Sequence, residues 1–330
     1  MNVTEKKIDA LNRELTLEIA AADYAEIERK KLAERRRTAD FKGFRKGMVP
    51  ASMIQRVFGE QCLAEAVNEV ISTQLEKHIT DNKLHILGEP LSSENQPENE
   101  WKDGNDFKFV FDIALSPEVK FEVEKTDEIP SYNVTVAAKD KTTMAENLKK
   151  FYEERKEEKS EEDIEKEASD RLADQFKNEA EWRLSKDIRD YFVKKADIKL
   201  PEDFLKRWLF VANNGKVTKE DIEKDFAGFC EDFKWQLVRG YLMEKFALKV
   251  EEKDLREAAE AFVAYQYAMY GLANVPQDMV KEAAVNMLQD QKQVERLIEQ
   301  VEDQKVLAKL KETVSLKATK ITSAKFKELK

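Results

Sequence analysis

The segment that Pro117 terminates reads Phe107-Lys108-Phe109-Val110-Phe111-Asp112-Ile113-Ala114-Leu115. Large apolar side chains occupy every second position, which is the period of a β-strand with one buried face. Proline ends the pattern because it cannot donate to a strand ladder. The segment therefore predicts a strand whose aromatic face is directed toward a core.

Upstream segments supply the rest of a small domain. Leu15–Ile19 also alternates apolar and polar residues, and it predicts a second strand. Helices are predicted from the N-cap residue Asp23 to Thr38, from Pro50 to about Gly59, and from about Gln61 to Asp81, with loops at 40–49 and 90–104. We expect an α+β domain, with helices on a small antiparallel sheet, over residues 1–117.

Downstream, the pattern becomes helical. A strand is predicted at about Tyr132 to Ala138, within a linker at 118–140, and helix signals dominate from Lys141. Lys149–Lys166 mixes Glu and Lys at helical spacing and indicates a solvated helix or a flexible connector. Further helices are predicted at about 202–214, 219–246, 251–270, 277–289 and 292–313. The breaks are expected at Leu200-Pro201, Asn213-Asn214-Gly215, Leu248-Lys249-Val250 and Asn274-Val275-Pro276. Residues 141–330 are therefore expected to form a mainly α-helical domain.

The composition narrows the class of protein. Only 9 Gly and 7 Pro occur in 330 residues, which disfavours folds built from many tight turns. The net charge of −10 excludes a protein that binds polyanions over its whole surface. The N-terminus lacks the apolar stretch of a signal peptide, and no apolar run reaches the length of a membrane span. We expect a cytoplasmic protein, with Cys62 and Cys230 as reduced thiols rather than a disulfide.

The usual signatures of an active site are missing from the sequence. His78 and His85 are the only histidines, and no third or fourth ligand accompanies them for a metal. No glycine-rich phosphate loop, nucleophile elbow or zincin motif occurs. We therefore expect no catalytic residue, no metal and no cofactor.

A basic segment stands out against the acidic whole. Residues 29–46 contain nine basic and two acidic residues, a local charge of +7. The basic residues are Arg29, Lys30, Lys31, Arg35, Arg36, Arg37, Lys42, Arg45 and Lys46. Such a patch predicts contacts with phosphate groups, whereas the plainer alternative is a charged helix face that aids solubility.

The loop after this helix favours the binding interpretation. Gly43 and Gly47 free the backbone on both sides of Phe44-Arg45-Lys46, and Pro50 restarts a helix. An aromatic ring beside arginine at an exposed turn is typical of an interface anchor. Arg45 can also pair with a carboxylate or phosphate through two hydrogen bonds.

This loop resembles the signature of the trigger factor family, the ribosome-associated chaperones of bacteria. The signature Gly-Phe-Arg-x-Gly-x-x-Pro is met at Gly43, Phe44, Arg45, Gly47 and Pro50. Residues 82–91 and 106–117 are similar to later parts of the family's N-terminal domain. Residues 270–276 are similar to the helical C-terminal domain of its Bacteroidetes members.

The resemblance implies docking at the ribosomal tunnel exit, where the Phe44 loop would contact a ribosomal protein and nearby rRNA. It further implies an elongated molecule whose arm-like helices form a cradle for nascent polypeptides. No nucleotide or other cofactor and no membrane would be involved, and the free protein could form a homodimer. Family members usually carry a peptidyl-prolyl isomerase domain, but residues 141–170 are too few to hold one, so isomerase activity is not expected.

A client-binding surface needs exposed apolar side chains interrupted by charge. The candidates are Phe262, Tyr265, Tyr267, Met269, Tyr270, Leu272, Met279 and Met287. Helix–helix core is the alternative for each of them, whereas Phe204, Trp208 and Trp235 are expected to be core. Two other functions fit the same sequence: a free chaperone that does not bind ribosomes, and an RNA-binding structural factor that holds no clients.

Overall fold

We describe the chain from a computed structural model, which defines residues 2–272 and 275–329. The contacts between Cα atoms divide it into two compact units. The first unit combines the chain through Glu118 with Lys199–Cys230. The second combines Val119–Ile198 with the chain from Glu231 onward. The functional division expected at residues 117 and 140 stays a prediction.

The elements confirm the predicted α+β start and the mainly helical remainder. In chain order, the first are β1 (Asn2–Lys7), β2 (Asn12–Ile19), α1 (Ala21–Thr38), α2 (Ala51–Asp81), β3 (Ile86–Ser92) and β4 (Phe107–Leu115). The others are β5 (Glu128–Thr135), α3 (Ala138–Arg155), α4 (Glu161–Ala196), α5 (Glu202–Ala212), α6 (Lys219–Lys245), α7 (Glu252–Met269), α8 (Gln277–Met287), α9 (Gln291–Thr313), β6 (Ser315–Thr322) and α10 (Ser323–Glu328).

The first unit contains an antiparallel sheet whose strands lie in the order β1-β2-β4-β3. Strand β4 pairs with β2, so that Phe109 lies opposite Leu17 and Phe111 lies opposite Leu15. Their shared face packs against α1 and α2. The fully buried members of this core include Leu15, Leu17, Tyr24, Ala66 and Val67. The alternation in 107–115 thus produces the buried face that it predicts.

Helix α5 contacts the other side of this sheet, although it comes from the second half of the chain. Arg207 Nη1 donates to Asp112 Oδ2 at 2.7 Å, and its Nη2 donates to the carbonyl oxygen of Ser92 at 3.1 Å. The indole of Trp208 lies directly against the backbone of Gly88. Because sequence periodicity carries no information on such distant contacts, this pairing was not predicted.

Helix α2 corrects the predicted break at Gly59. The helix is continuous from Ala51 to Asp81, and Gly59 is buried within it. The apolar stripe that includes Leu63 continues back to the buried Ile54, so burial of one face outweighs the roughly 1 kcal/mol that an internal glycine costs. The predicted start of α1 at an N-cap residue Asp23 is wrong by three residues, because the N-cap residue is Ala20. Asp23 is the third residue of α1, and its carboxylate accepts a hydrogen bond from the Ala20 N–H at 2.9 Å.

Strands β1 and β3 are edge strands that sequence periodicity missed. Strand β1 has no buried residue, so it lacks the alternation of a half-buried strand. Strand β3 extends into the predicted loop at 90–104 and contains Pro90 and a register shift between Leu87 and Leu91. Proline and a bulge are both typical of sheet edges, where a missing N–H costs little.

The second unit contains a small parallel sheet of β5 and β6. Strand β5 begins four residues and ends three residues before the predicted strand at Tyr132–Ala138. Strand β6 was not predicted, because six of its first seven residues are exposed and carry no apolar alternation. One face of β5 packs on α4 and α10 around Phe176 and Phe326.

The charged segment at 149–166 is neither one solvated helix nor a connector. It forms the end of a helical hairpin, with α3 and α4 joined by residues 156–160 and a core of Leu148, Tyr152, Ile164 and Ala168. The Tyr152 hydroxyl donates to Glu167, and the ammonium of Lys159 lies 2.7 Å from the same carboxylate. Hydrogen bonds from Lys159 and then Tyr152 lower the pKa of Glu167 to about 2, from its ordinary 4.5.

This carboxylate gives the hairpin an acid-sensitive stability. Because the folded-state pKa is lowered, Glu167 stabilises the hairpin above about pH 4.5 and loses that contribution as the pH falls toward 2. The protection of the α3 amides against hydrogen exchange, corrected for the pH dependence of the intrinsic rate, should therefore fall between pH 5 and pH 3, and only modestly because the site is exposed to solvent. Glu167→Gln should remove this dependence, whereas Glu158→Gln, at an exposed neighbouring carboxylate, should retain it.

Candidate functional site

The loop between α1 and α2 is built from two successive tight turns. The Phe44 N–H donates to the Phe41 carbonyl at 3.0 Å, and the Met48 N–H donates to the Arg45 carbonyl at 2.9 Å. Gly43 and Gly47 close these turns with φ values of +89° and +80°. Glycine is needed there for its backbone conformation, since no atom would lie within 4 Å of a Cβ at either position.

Side chains from both helices hold the base of this loop. The Phe41 ring meets the Phe58 ring edge to face, with centroids 6.3 Å apart. Val49 is fully buried, and Arg36 Nε donates to its carbonyl oxygen at 2.8 Å. Pro50 then serves as the N-cap residue of α2 rather than its first helical residue. These anchors fix the two ends of the loop and leave its tip to solvent.

The tip presents Phe44, Arg45 and Lys46 together. The Phe44 side chain is 40% exposed, a high value for phenylalanine, and both cations are exposed. We name Phe44, Arg45 and Lys46 the loop tip. An apolar ring beside two cations on a fixed turn can contact an apolar surface and an anionic group at once.

The structure divides the basic segment into paired and unpaired residues. Lys30 lies 2.9 Å from Glu26, Lys31 lies 2.7 Å from Glu69, and Arg35 lies 2.8 Å from Glu65. Glu65 and Glu69 belong to α2, so the local charge of +7 is partly neutralised by the neighbouring helix. Within residues 2–272 and 275–329, no ion pair is found for Arg29, Arg37, Lys42, Arg45 and Lys46. Most of the uncompensated charge therefore lies at the loop end of the helix pair.

An exposed apolar strip accompanies the loop tip and was missed from the sequence. Met48 is 69% exposed, and Met53 and Val57 are exposed on the first turns of α2. Met53 and Val57 are four residues apart, so they lie on one helix face. The sequence could have indicated this strip, because Met53 and Val57 do not fall on the helix face that carries the buried Ile54.

The second candidate surface lies on α7 and α8. Ala259, Val263, Val280, Ala284 and Leu297 form the core between α7, α8 and α9. Tyr267 and Met287 pack against that core, whereas the other candidates are exposed: Phe262, Tyr265, Met269, Tyr270, Leu272 and Met279. Tyr270 is 83% exposed. Asn274, in the predicted helix break, and Ala273, in the segment similar to family members, lie outside the described residues.

A groove of about 630 Å³ runs along this surface. Phe262 and Tyr267 of α7 line it together with Tyr270, the residue that follows α7, and Met287 of α8. Asp290 and Arg296 lie at its margin. The combination of aromatic rings, a flexible methionine and flanking charges suits weak contact with unfolded polypeptide.

The remaining sequence candidates have structural roles. His78 Nε2 lies 3.2 Å from Glu5 Oε2, and this contact joins α2 to β1. The other ring nitrogen of His78 lies 3.3 Å from Asn82 Nδ2. Cys62 and Cys230 are both buried and free, and burial raises the pKa of the Cys62 thiol. Among the described residues, no group of three His, Cys, Asp or Glu could hold a metal ion. In that same part of the chain, every helix is too short or too polar to cross a bilayer.

Two family models match the chain. Residues 1–148 match the model described as "Bacterial trigger factor protein (TF)", and residues 180–330 match "Probable trigger factor, C-terminal domain". Between the two matched ranges lie only residues 149–179, which form the end of α3 and the first half of α4.

Curated relatives agree over part of the chain. A trigger factor of Francisella tularensis subsp. novicida is 31% identical over 154 residues, which is 46% of this chain and 34% of that protein. That of Francisella philomiragia is 32% identical over 152 residues, with shares of 46% and 33%. That of Dinoroseobacter shibae is 31% identical over 160 residues, with shares of 46% and 35%. The chain thus spans about a third of the length of these relatives.

One solved structure has a similar fold. It is described as "Promiscuous Substrate Recognition in Folding and Assembly Activities of the Trigger Factor Chaperone", and the alignment covers 94% of this chain and 99% of that chain. The TM-score is 0.56 at 13% identity, so the similarity concerns the fold. Matches to both family models, over most of the sequence, place this chain in the trigger factor family.

Proposed function

We propose that this chain is an ATP-independent chaperone that docks at the ribosomal tunnel exit and holds nascent polypeptides. The observation that carries the proposal is the loop tip, an exposed aromatic ring and two cations on a turn whose two ends are anchored. A preorganised anchor loses little conformational entropy on binding, so a small contact of this kind can supply useful affinity.

The docking partner would be a ribosomal protein together with rRNA. Arg45 suits a carboxylate or phosphate, while Phe44 and the neighbouring Met48 suit an apolar contact on protein. The unpaired cations Arg37 and Lys42 lie beside the loop tip and would contact phosphate groups. We assign docking to residues 1–117 on this basis.

The client-binding role belongs, in this proposal, to the helical residues 141–330. The exposed side chains of α7 and α8 offer apolar area in small pieces, separated by charge. Such a surface binds unfolded chains weakly and releases them without nucleotide hydrolysis. The protein would act in the cytoplasm, with homodimerisation of the free form as a further part of the proposal.

Isomerase activity is not part of this proposal. Between the two family-model matches lie only residues 149–179 of the α3–α4 hairpin, a pair of helices around a small core of Leu148, Tyr152, Ile164 and Ala168 and not a separate domain. We expect no catalysis of prolyl isomerisation in a peptide assay. Acceleration of that reaction by the purified chain would overturn this part.

Client holding is tested on exposed residues of α7 and on Tyr270, which follows it. Replacing Tyr265, Met269 and Tyr270 together by serine should lower suppression of aggregation of a denatured enzyme by roughly fivefold, because exposed apolar area is lost. Light scattering in a buffer free of RNA and ATP measures the effect.

A matched control distinguishes holding from folding. Val211 is 57% exposed on α5, outside the α7–α8 surface, and Val211→Ser should change neither suppression nor thermal unfolding appreciably. If the triple variant suppresses aggregation as well as the unchanged protein does, this surface does not hold clients.

The two alternative functions give different results in the same assays. A free chaperone would suppress aggregation without sedimenting with ribosomes. An RNA-binding structural factor would sediment with ribosomes, through the unpaired cations around Arg37, without suppressing aggregation. The proposed function requires both activities in one chain.

A further inference from the structure

We propose that the outer edge of β6 binds an extended acidic polypeptide segment as an added β-strand. This inference rests on the proposed function and names a second place where a client segment would bind, away from α7 and α8. Its basis is the pattern of backbone groups and charge on β6, which the functions described above do not use.

The register of the β5–β6 pair determines which backbone groups of β6 are free. Glu128 lies opposite Ser315, and the Ser315 N–H donates to the Asp127 carbonyl at 2.9 Å. In a parallel ladder every second residue bonds to the neighbouring strand, so Ser315, Lys317 and the odd-numbered residues after them face β5. The N–H and C=O groups of the even-numbered residues, Leu316, Ala318 and Lys320, therefore point away from β5.

The same register is consistent with Pro130 in β5. Pro130 is an even-numbered residue whose nitrogen faces the outer edge of β5, so the ladder loses no donor. Proline thereby blunts that edge against a further strand. In β6 every outward residue keeps its N–H, and within the described part of the chain no strand lies on that side. Of the two edges of the β5–β6 sheet, the β6 edge is therefore the one with a complete row of outward hydrogen-bond donors and acceptors.

The strand is also accessible along its length. Its first six residues are exposed, and α10, which follows it in the chain, packs against its end. Outward-facing N–H and C=O groups recur about every 6.6 Å along a strand, and another extended polypeptide backbone pairs with both kinds of group, whereas a phosphodiester group only accepts hydrogen bonds. This difference favours a polypeptide over an oligonucleotide as the occupant.

Charge identifies the kind of polypeptide. Residues 313–327 contain four lysines and no carboxylate, in a chain whose net charge is −10. Lys317 shares a face with Ile321, which packs toward α4, and lies 3.6 Å from Glu128 of β5 in a solvent-exposed and therefore weak ion pair. Lys320 lies on the opposite face. An added strand would meet a cation on each side, so acidic side chains on both of its faces fit best. A second copy of β6 would place lysines against lysines, which disfavours self-pairing.

The test uses the full chain and a short fluorescein-labelled peptide in which Glu alternates with Val and Thr. We expect saturable binding by fluorescence anisotropy, weakened by salt, with slower hydrogen exchange at the amides of Leu316, Ala318 and Lys320. Ala318→Pro removes an outward donor without breaking a bond to β5, and it should weaken binding at least fivefold. Ala318→Thr keeps the donor and should bind within about twofold of the unchanged chain.

Charge reversal gives a readout that does not depend on proline. Lys317→Glu with Lys320→Glu should weaken binding of the acidic peptide about tenfold and favour a peptide in which Lys replaces Glu. Circular dichroism checks that each variant is folded. Full affinity of the Ala318→Pro variant would overturn the proposal, and so would unprotected β6 amides in the saturated complex. The proposal would also be wrong if an oligonucleotide displaced the peptide and bound the Ala318→Pro variant with unchanged affinity, because β6 would then bind through positive charge alone.

The result is separable from the proposed function. Ribosome sedimentation and aggregation suppression by the unchanged chain measure that function directly. If both are normal while the peptide does not protect β6, only the strand-addition proposal fails. If the peptide binds and protects β6 while both assays are negative, the proposed function fails and the edge site stands.

Discussion

Replacement of Phe44, Arg45 and Lys46 together by alanine should weaken ribosome binding by roughly a hundredfold. An aromatic or arginine anchor contributes about 2 kcal/mol or more when it lies at the centre of a small interface, and such contributions are not additive. The substituted residues are exposed and the loop is held by Phe41 and Val49, so the fold should be unaffected. Binding curves from co-sedimentation with purified ribosomes give the change in affinity.

The chain offers a matched control for this variant. Phe151 is also 40% exposed, and the Arg155 guanidinium lies 4.3 Å from the centre of its ring. Replacing Lys150, Phe151 and Arg155 by alanine removes the same three residue types from the α3–α4 hairpin. This variant should bind ribosomes with unchanged affinity. Equal loss in both triple variants would mean that general charge, and not the loop tip, governs binding.

Gly88→Ala should destabilise the first unit by about 3 kcal/mol. Gly88 has φ +66°, where a side chain costs about 1–2 kcal/mol. The added Cβ would lie 2.6 Å from Nε1 and 2.7 Å from Cε2 of the Trp208 indole, so the ring or the strand must move, at a cost of about 1–3 kcal/mol. Urea unfolding of this unit, compared with the unchanged chain, measures the loss.

Two further variants separate the backbone cost from the clash. Gly104 has φ +86°, and a Cβ there would meet no atom within 4 Å, so Gly104→Ala should cost only about 1–2 kcal/mol. In the double variant Gly88→Ala with Trp208→Ala, the clash is removed, and the combined loss should be smaller than the sum of the two separate losses. If Gly88→Ala costs no more than Gly104→Ala, α5 does not press on β3 as described.

Strong local periodicity made several elements predictable. Strand β4 has the bounds expected from its alternation, and the long helices α6, α7 and α9 begin and end within about two residues of their expected positions. The loop tip was also predictable, because two glycines and a proline specify the turns by themselves. In each case the relevant physical constraint lies within a few neighbouring residues.

Elements stabilised by distant partners were not predictable in this way. Strand β6 is ordered by pairing with β5, almost two hundred residues earlier, and its own composition is polar. The neutralisation of Lys31 and Arg35 depends on two carboxylates of α2 that face them only once the helices pack. The position of α5 on the sheet depends on Gly88 leaving room for Trp208. Tertiary packing decides all three.

In the proposed function, this chain docks on ribosomes through an electrostatic and aromatic contact of the loop tip. Co-sedimentation of the full chain with purified ribosomes, at about 50 mM and about 500 mM salt, tests it most directly. We expect saturable binding of one chain per ribosome at the lower salt and much weaker binding at the higher salt. Absence of saturable binding at the lower salt would contradict it.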